Sequence, residues 1–364
     1  MNERYSRLNA TRLKIELLCR GAHCEETTDA GRKGGAGPIG GRYFTLPDET
    51  CIDIPLRGKF VENSPFTLVQ TNGNWCVYKG SKSTVELKPV PRPKFYDKTT
   101  SDGTLMRKIA VLHGKDCLAS TIYSKCVYWS SGRQCKFCGI ELWNPERLVV
   151  KQPKQIGEVA AEAFKEGAAR HVTLTTGTPP GEDKGALRLA EATKAIKEQV
   201  KMPVHVQLEP LKNTKYLKAL QEAEVDTVAM NIESFDQKVL SDICPAKSSI
   251  EEYFKAWKNA VELFGEGQVS TFIIAGLGET DESILLGAEK AARIGVIPYL
   301  LPFRPVAGTI FEKVSPPTPK RMIKLNSGLA EILHRVGLDP GKSKAGCVRC
   351  GACSVLKEAF VFPP

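Results

Sequence analysis

The chain has 364 residues, 42% of them hydrophobic and 25% charged, a balance that supports a large core and excludes a disordered chain. No apolar run approaches the roughly 18 to 20 residues that span a bilayer, and the charged start "MNERYSRLNATRLKIELLC" lacks the stretch of a secretory signal. A cytoplasmic location is therefore expected. The net charge of +10 is spread along the chain with no nucleic-acid motif, which favours a solvated basic surface over nucleic acid as a partner.

Residues 1–105 are rich in Gly, Pro and Thr, with short apolar runs such as "FTLVQ" and "WCVYKG". They read as an N-terminal β-rich extension. "GRKGGAGPIGGRYF" (31–44) follows no strand in the register of a phosphate loop and reads as a turning loop. "KPVPRPKFYDKTTSDG" (88–103) reads as an extended connector, because proline blocks helix and sheet ladders.

From about residue 110, β-rich runs alternate with helical patterns. Strands are expected at 117–124, 171–177, 204–210, 227–234, 269–280 and 297–305. Helices are expected at 153–165, 186–200, 212–223, 235–243, 250–264, 281–293 and 318–336. In the first helix Ile156, Val159, Ala160, Ala163 and Phe164 have the spacing to pack on a sheet. Strands separated by crossover-length helices imply a parallel sheet, and six such units imply an α/β fold, a partial (β/α)6 barrel. Its chemistry belongs at the C-terminal strand ends. The division is 1–105 for a capping or auxiliary-cluster extension, 106–338 for the barrel and 339–364 for a cysteine-rich tail.

In a reducing compartment, twelve cysteines point to metal or catalysis before disulfides. Six fall into two tight groups, Cys126/Cys135/Cys138 and Cys347/Cys350/Cys353. Cys19, Cys24, Cys51, Cys76, Cys117 and Cys244 are scattered and read as small buried hydrophobes. His23, His113, His171, His205 and His334 are isolated and read as solvated or core residues. His205, on the third strand, is the one best placed for a site. Three thiols without a fourth ligand make a poor zinc site. A four-iron cluster held at three corners instead keeps one iron open for a small molecule.

With "CKFC" (135–138) after the first barrel strand and polar residues at the ends of the next four, the chain resembles the radical S-adenosylmethionine (radical SAM) enzymes. It departs from their C-x3-C-x2-C pattern in an eight-residue gap between Cys126 and Cys135, which reads as a loop insertion. The resemblance implies that Cys126, Cys135 and Cys138 hold a catalytic 4Fe-4S cluster and that Phe137 lies against the adenine. It also implies that Thr175, Thr176, Gly177 and Thr178 meet the methionine amino group of S-adenosylmethionine. Gln207 and Glu209 would meet the ribose, Asn231 and Glu233 would face the same site, and backbone at Ala275 and Gly276 would meet the adenine. An exposed radical would be quenched by water, so the N-terminal extension is expected to cap the barrel mouth.

"GCVRCGACS" (346–354) matches the start of ferredoxin-type cluster binding, with a zinc knuckle as the rival. Its fourth ligand is open among Ser354, Cys19 and Cys24. "GGAGP" (34–38), "HGKDCLAST" (113–121) and this tail resemble two groups within the biotin-synthase-like enzymes. One is the archaeal two-protein lipoyl synthases, the other the radical SAM proteins of nitrilase gene clusters. The first implies sulfur insertion into a protein-bound octanoyl chain from a second, auxiliary 4Fe-4S cluster. Its partners would be a second radical SAM subunit, an octanoylated lipoyl carrier protein and an electron donor such as ferredoxin. The second implies a small nitrogenous substrate. A zinc-stabilised barrel that binds RNA or protein without chemistry is the non-enzymatic alternative.

Overall fold

The computed structural model describes residues 3–24, 41–71, 74–142 and 148–364; "GGAGP" (34–38) lies outside them. Six parallel strands form the centre: β1 (Cys117–Tyr123), β2 (His171–Thr176), β3 (Val204–Gln207), β4 (Thr227–Ala229), β5 (Val269–Ala275) and β6 (Val296–Pro302). Each pairs in parallel with the next, and Val111–His113 adds an antiparallel edge to β1. The sheet order runs from β6 to β1 and ends on that edge strand, so the barrel stays open between its first and last strands.

The crossovers are α1 (Pro153–Lys165), α2 (Ala186–Gln199), α3 (Lys215–Glu222), α4 (Gln237–Ile243) with α5 (Ile250–Phe264), and α6 (Asp281–Ala292). A further helix, α7 (Pro319–Val336), follows β6. In α1, Ile156, Val159, Ala160 and Ala163 recur every three or four residues and are buried, each larger side chain contributing about 2 kcal/mol. Phe164 departs from the expectation. It is 42% exposed at the margin of that stripe, where the Arg170 guanidinium sits 6.0 Å over its ring. The strands end earlier than their sequence runs suggest: "LEP", "IES" and "GLGET" lie past the ends of β3, β4 and β5. Those polar residues are thereby on loops at the C-terminal rim.

The N-terminal unit is a helix, Glu3–Arg20, on a six-stranded sheet. The helix escapes sequence reading because it buries a lysine. Lys14 donates to the Gly351 carbonyl and to Glu358 Oε1, each at 2.9 Å. Where the sequence suggests a cap over the mouth, the described contacts put this unit along the open seam. The Tyr43 ring lies 5.1 Å from His113 beside the first strand, and Asp53 pairs with Arg304 just after the last. The core there joins Phe44, Ile52 and Ile54 to Ile297, Tyr299 and Leu300 of β6. No helix among the described residues is long and apolar enough to cross a membrane.

The C-terminal segment, with α8 (Gly346–Cys350) and α9 (Leu356–Val361), closes the floor of the barrel. The Gly346 amide donates to His171 Nδ1 (3.2 Å) and the Thr227 hydroxyl to the Ala345 carbonyl (3.4 Å), both at strand starts. His205, fully buried at the start of β3, shares a 2.7 Å hydrogen bond with the Thr227 hydroxyl. Burial, and then the neighbouring His171, hold its imidazole down to about 3. The unfolded chain takes up this proton from the ordinary histidine value downward, and the folded chain resists until about pH 3. Stability from this group is thus complete above about pH 6.5 and falls as pH drops through the window, by about 1.4 kcal/mol per unit at most. His205→Asn is expected to flatten the acid limb of a denaturation series; an unchanged slope between wild type and variant would count against it.

Candidate active site

One cavity of about 310 Å3 runs inside the barrel and is lined by both cysteine groups: Cys126, Cys135 and Cys138 at the rim, Cys347 and Cys353 toward the floor. Phe137, 175–178, Gln207, Glu209, Asn231 and Glu233 line it as well. Ala275 and Gly276 do not line it, and Cys350 opens instead onto a separate charged cleft with Cys51, Lys115, Arg349 and Lys357.

The rim is tied together by backbone. Cys126 follows β1, and its amide donates to Glu141 Oε1 at 2.6 Å. The next amide, Val127, donates to the Thr178 carbonyl (2.9 Å), docking the cysteine loop onto the end of β2. Gly177 is required at this contact, since a Cβ there would lie 2.1 Å from the Lys125 carbonyl oxygen. "CKFC" is held by Lys136, whose amide donates to Ile243 at the end of α4. The eight-residue gap contains a one-turn helix, Val127–Ser130, that turns Tyr128 inward. The Tyr128 hydroxyl donates to Glu209 Oε2 (3.2 Å) and accepts from Lys184 Nζ (3.1 Å). The gap thus supplies a cavity wall that the motif comparison missed.

Glu233 has φ 70, a left-handed conformation costly for a side-chain residue, held by amide and carbonyl bonds to β5. Its Oε1 accepts from the buried Lys247 Nζ at 2.8 Å, while Oε2, facing the cavity region, has no partner among the described residues. Burial opposes the Lys247 charge, but Glu233 and its neighbours outweigh that and keep the ammonium protonated. Asn231 accepts from the Phe272 amide and donates to Gln207 Oε1 at 3.5 Å. Gln207 then donates to Cys347 Sγ at 3.4 Å, so it reaches toward the floor group rather than standing only at the rim. The backbone at Ala275 and Gly276 has partners of its own. The Ala275 carbonyl accepts from Phe303, and the Gly276 and Leu277 amides are taken by the carboxylate of Glu279, itself paired with Arg321.

Burial pushes the Cys138 thiol up to about 12, with Cys135 adding to the rise. Cys135 is held below its ordinary value by a hydrogen bond from Cys244, a thiol that sequence reading left in the core. Cys350 and Cys353 are raised by burial, then by Cys51 and Asp53 respectively. Half-buried thiols of this kind ionise most readily beside strong positive charge, which iron corners supply. Among the described residues no three His, Cys, Asp or Glu side chains gather around a single ion. Three thiols of one loop lining one cavity are the donor type a 4Fe-4S cluster takes, one thiolate to an iron. Phe137 lines the cavity between two of these thiols. Phe137→Ala is expected to weaken S-adenosylmethionine binding several-fold while iron per chain stays constant; equal loss of both, read by calorimetry and iron analysis, contradicts its place against the adenine.

Residues 132–289 match the model of the Radical SAM superfamily. Bacteriochlorophyllide c C-7(1)-hydroxylase of Chlorobaculum limnaeum is 24% identical over 229 residues, 56% of this chain and 56% of that protein. Lipoyl synthase of Thermus thermophilus is 27% identical over 168 residues (45% and 50%). Biotin synthase of Leptospira biflexa is 29% identical over 181 residues (49% and 49%). The chain spans about half the length of these curated relatives. Open barrel, cysteine loop and sequence match agree on a radical SAM domain over residues 132–289. Its similarity to lipoyl and biotin synthases is consistent with the biotin-synthase-like kind, and a radical SAM domain implies a 4Fe-4S cluster and S-adenosylmethionine. The zinc-stabilised, non-catalytic reading gives way to this assignment.

Proposed function

We propose that this chain is a sulfur-inserting radical SAM enzyme of the two-protein lipoyl synthase type, acting on a protein-bound octanoyl chain with a second radical SAM subunit. The observation that carries the reading is the shared cavity, lined by Cys126, Cys135 and Cys138 of one group and by Cys347 and Cys353 of the other. When bound, the two clusters and S-adenosylmethionine supply a 5′-deoxyadenosyl radical that takes hydrogen from an unactivated carbon, and the sulfide that this carbon then binds.

The chain's own residues provide the setting. Ala119, Phe272, Ile274, Tyr299, Leu301 and Phe303 line the cavity and form an apolar wall that fits an alkyl chain and excludes water. Tyr128, Lys184 and Glu209 form a polar rim where a cofactor enters. The Gln207 amide, donating to the Cys347 sulfur, fixes that thiol toward the cavity. Arg304, also on the wall, is locked by Asp53 and the Leu18 carbonyl, so it stiffens the seam instead of reaching for substrate. A surface of net charge +10 suits an acidic carrier domain, and an electron donor such as ferredoxin completes the set. Relatives named lipoyl synthase and biotin synthase support the reaction class.

A second reading, a small nitrogenous substrate of the nitrilase-cluster kind, is favoured by the unpartnered Glu233 Oε2, which can accept from an amine. Mass spectrometry of an octanoylated carrier, incubated anaerobically with S-adenosylmethionine, reductant and the partner subunit, separates the two. The carrier is expected to gain sulfur. Production of 5′-deoxyadenosine only with an amine substrate, and no sulfur on the carrier, overturns the octanoyl assignment.

A further inference from the structure

The eight-residue gap between Cys126 and Cys135 is extra to the family pattern, and neither cluster nor substrate gives it a use. Its first turn, Val127–Ser130, is pinned by backbone. The Val127 amide donates to the Thr178 carbonyl at 2.9 Å, and the Tyr128 carbonyl accepts from the Arg133 amide at 2.7 Å. The Tyr128 side chain is buried, and it lines the cavity together with Glu209.

Two charged partners fix the direction of its hydroxyl. A phenol oxygen has one proton to give. Lys184 Nζ donates to that oxygen at 3.1 Å, so the Tyr128 proton goes to Glu209 Oε2, 3.2 Å away. Lys184 Nζ also lies 5.6 Å from the centre of the Tyr128 ring. A constrained turn at the end of the loop after β2 delivers this ammonium. Lys184 has φ 50, and a Cβ on the next residue, Gly185, would lie 3.1 Å from the Thr176 side chain. The loops after β1, β2 and β3 therefore meet at one carboxylate. This tie uses Oε2 alone. Holding one carboxylate oxygen sets the plane and reach of the other, Oε1, as an acceptor for a ligand that carries hydroxyls.

We propose that Tyr128 is a positioning residue for S-adenosylmethionine: through its bond to Glu209, backed by Lys184, it fixes the carboxylate that receives the ribose hydroxyls. The proposal rests on the cofactor and on Glu209 as its ribose contact, and not on the octanoyl substrate or a second cluster. Tyr128 acts through Glu209, so it governs how tightly the ribose is held and leaves iron binding alone. The insertion in the cysteine loop thereby becomes a source of cofactor selectivity.

The experiment uses the full chain, reconstituted anaerobically with iron and sulfide and titrated by calorimetry with two probes, S-adenosylmethionine and its 2′,3′-dideoxyribose analogue. Wild type is expected to bind S-adenosylmethionine more tightly than the analogue. Tyr128→Phe keeps the ring and loses the hydroxyl. It is expected to bind S-adenosylmethionine about tenfold more weakly, to bind the analogue as wild type does, and to keep its iron. Lys184→Met is expected to give a smaller loss of the same kind. Glu209→Gln is expected to remove the preference between the probes, and adding Tyr128→Phe to it to change nothing further. Unchanged S-adenosylmethionine binding in Tyr128→Phe overturns the proposal, and so does tighter binding, which would mean that the hydroxyl competes with the ribose. Equal weakening toward both probes, or loss of iron, overturns it as well, because either marks a general packing role. A wild type that binds both probes equally overturns the Glu209 reading underneath, which separates the two failures.

Discussion

With the second cluster proposed above, Gly346→Val is expected to empty the floor group of iron while leaving the rim group loaded, lowering iron from about eight to about four per chain. Gly346 has φ +85, which strains any other residue, and a Cβ at this position would fall 2.4 Å from the His205 ring. That ring has no room to yield: it is fully buried and hydrogen-bonded to Thr227, whose hydroxyl also holds Ala345. The clash therefore lifts α8, which starts at Gly346 and carries Cys347 and Cys350. A stability loss of at least about 3 kcal/mol is expected, since overpacking and backbone strain act together. Iron analysis with a thermal scan checks both parts. A variant that melts like wild type and keeps about eight irons shows that the floor is not held as described.

Cys138→Ala is expected to be more damaging to chemistry and gentler on the fold. The thiol sits in the short "CKFC" turn, where the Cys138 amide donates to the Cys135 carbonyl and the loop is anchored by Lys136 at Ile243 and by Val127 at Thr178. Those anchors are backbone bonds and survive the substitution, so the barrel should melt within about 1 kcal/mol of wild type. Removing one of three thiolates at a four-iron site leaves too few corners. Formation of 5′-deoxyadenosine is expected to fall at least about a thousandfold, a loss of about 4 kcal/mol in transition-state stabilisation. The floor cluster proposed above should keep about four irons. Substantial 5′-deoxyadenosine from the variant would remove Cys138 from the rim cluster.

The barrel was legible because its signals are local. Helix α1 matches its expected span, and the six strands appear in order, since apolar periodicity and crossover length are read within a window of residues. The rim residues at 175–178 and at Gln207, Glu209, Asn231 and Glu233 were legible by resemblance, and they share the cavity. What escaped depends on contacts far apart in sequence. The helix Glu3–Arg20 buries Lys14 because its partner Glu358 stands 344 residues away. His113 looks isolated in sequence and gains its neighbours only when residues 350 and 353 fold beneath β1. Tyr128 lay inside a gap that the family pattern treats as extra. The bond of the Gly276 amide to Glu279, three residues on, is likewise invisible in the motif.

The floor also sets an order of events. All six strands emerge before residues 345–353, so a growing chain holds a barrel open at both ends until the segment bearing Cys347, Cys350 and Cys353 arrives to seal one of them. A chain halted before residue 345 is a tube rather than a vessel: it can still present three thiols to iron, but it offers a radical no shelter from solvent beneath.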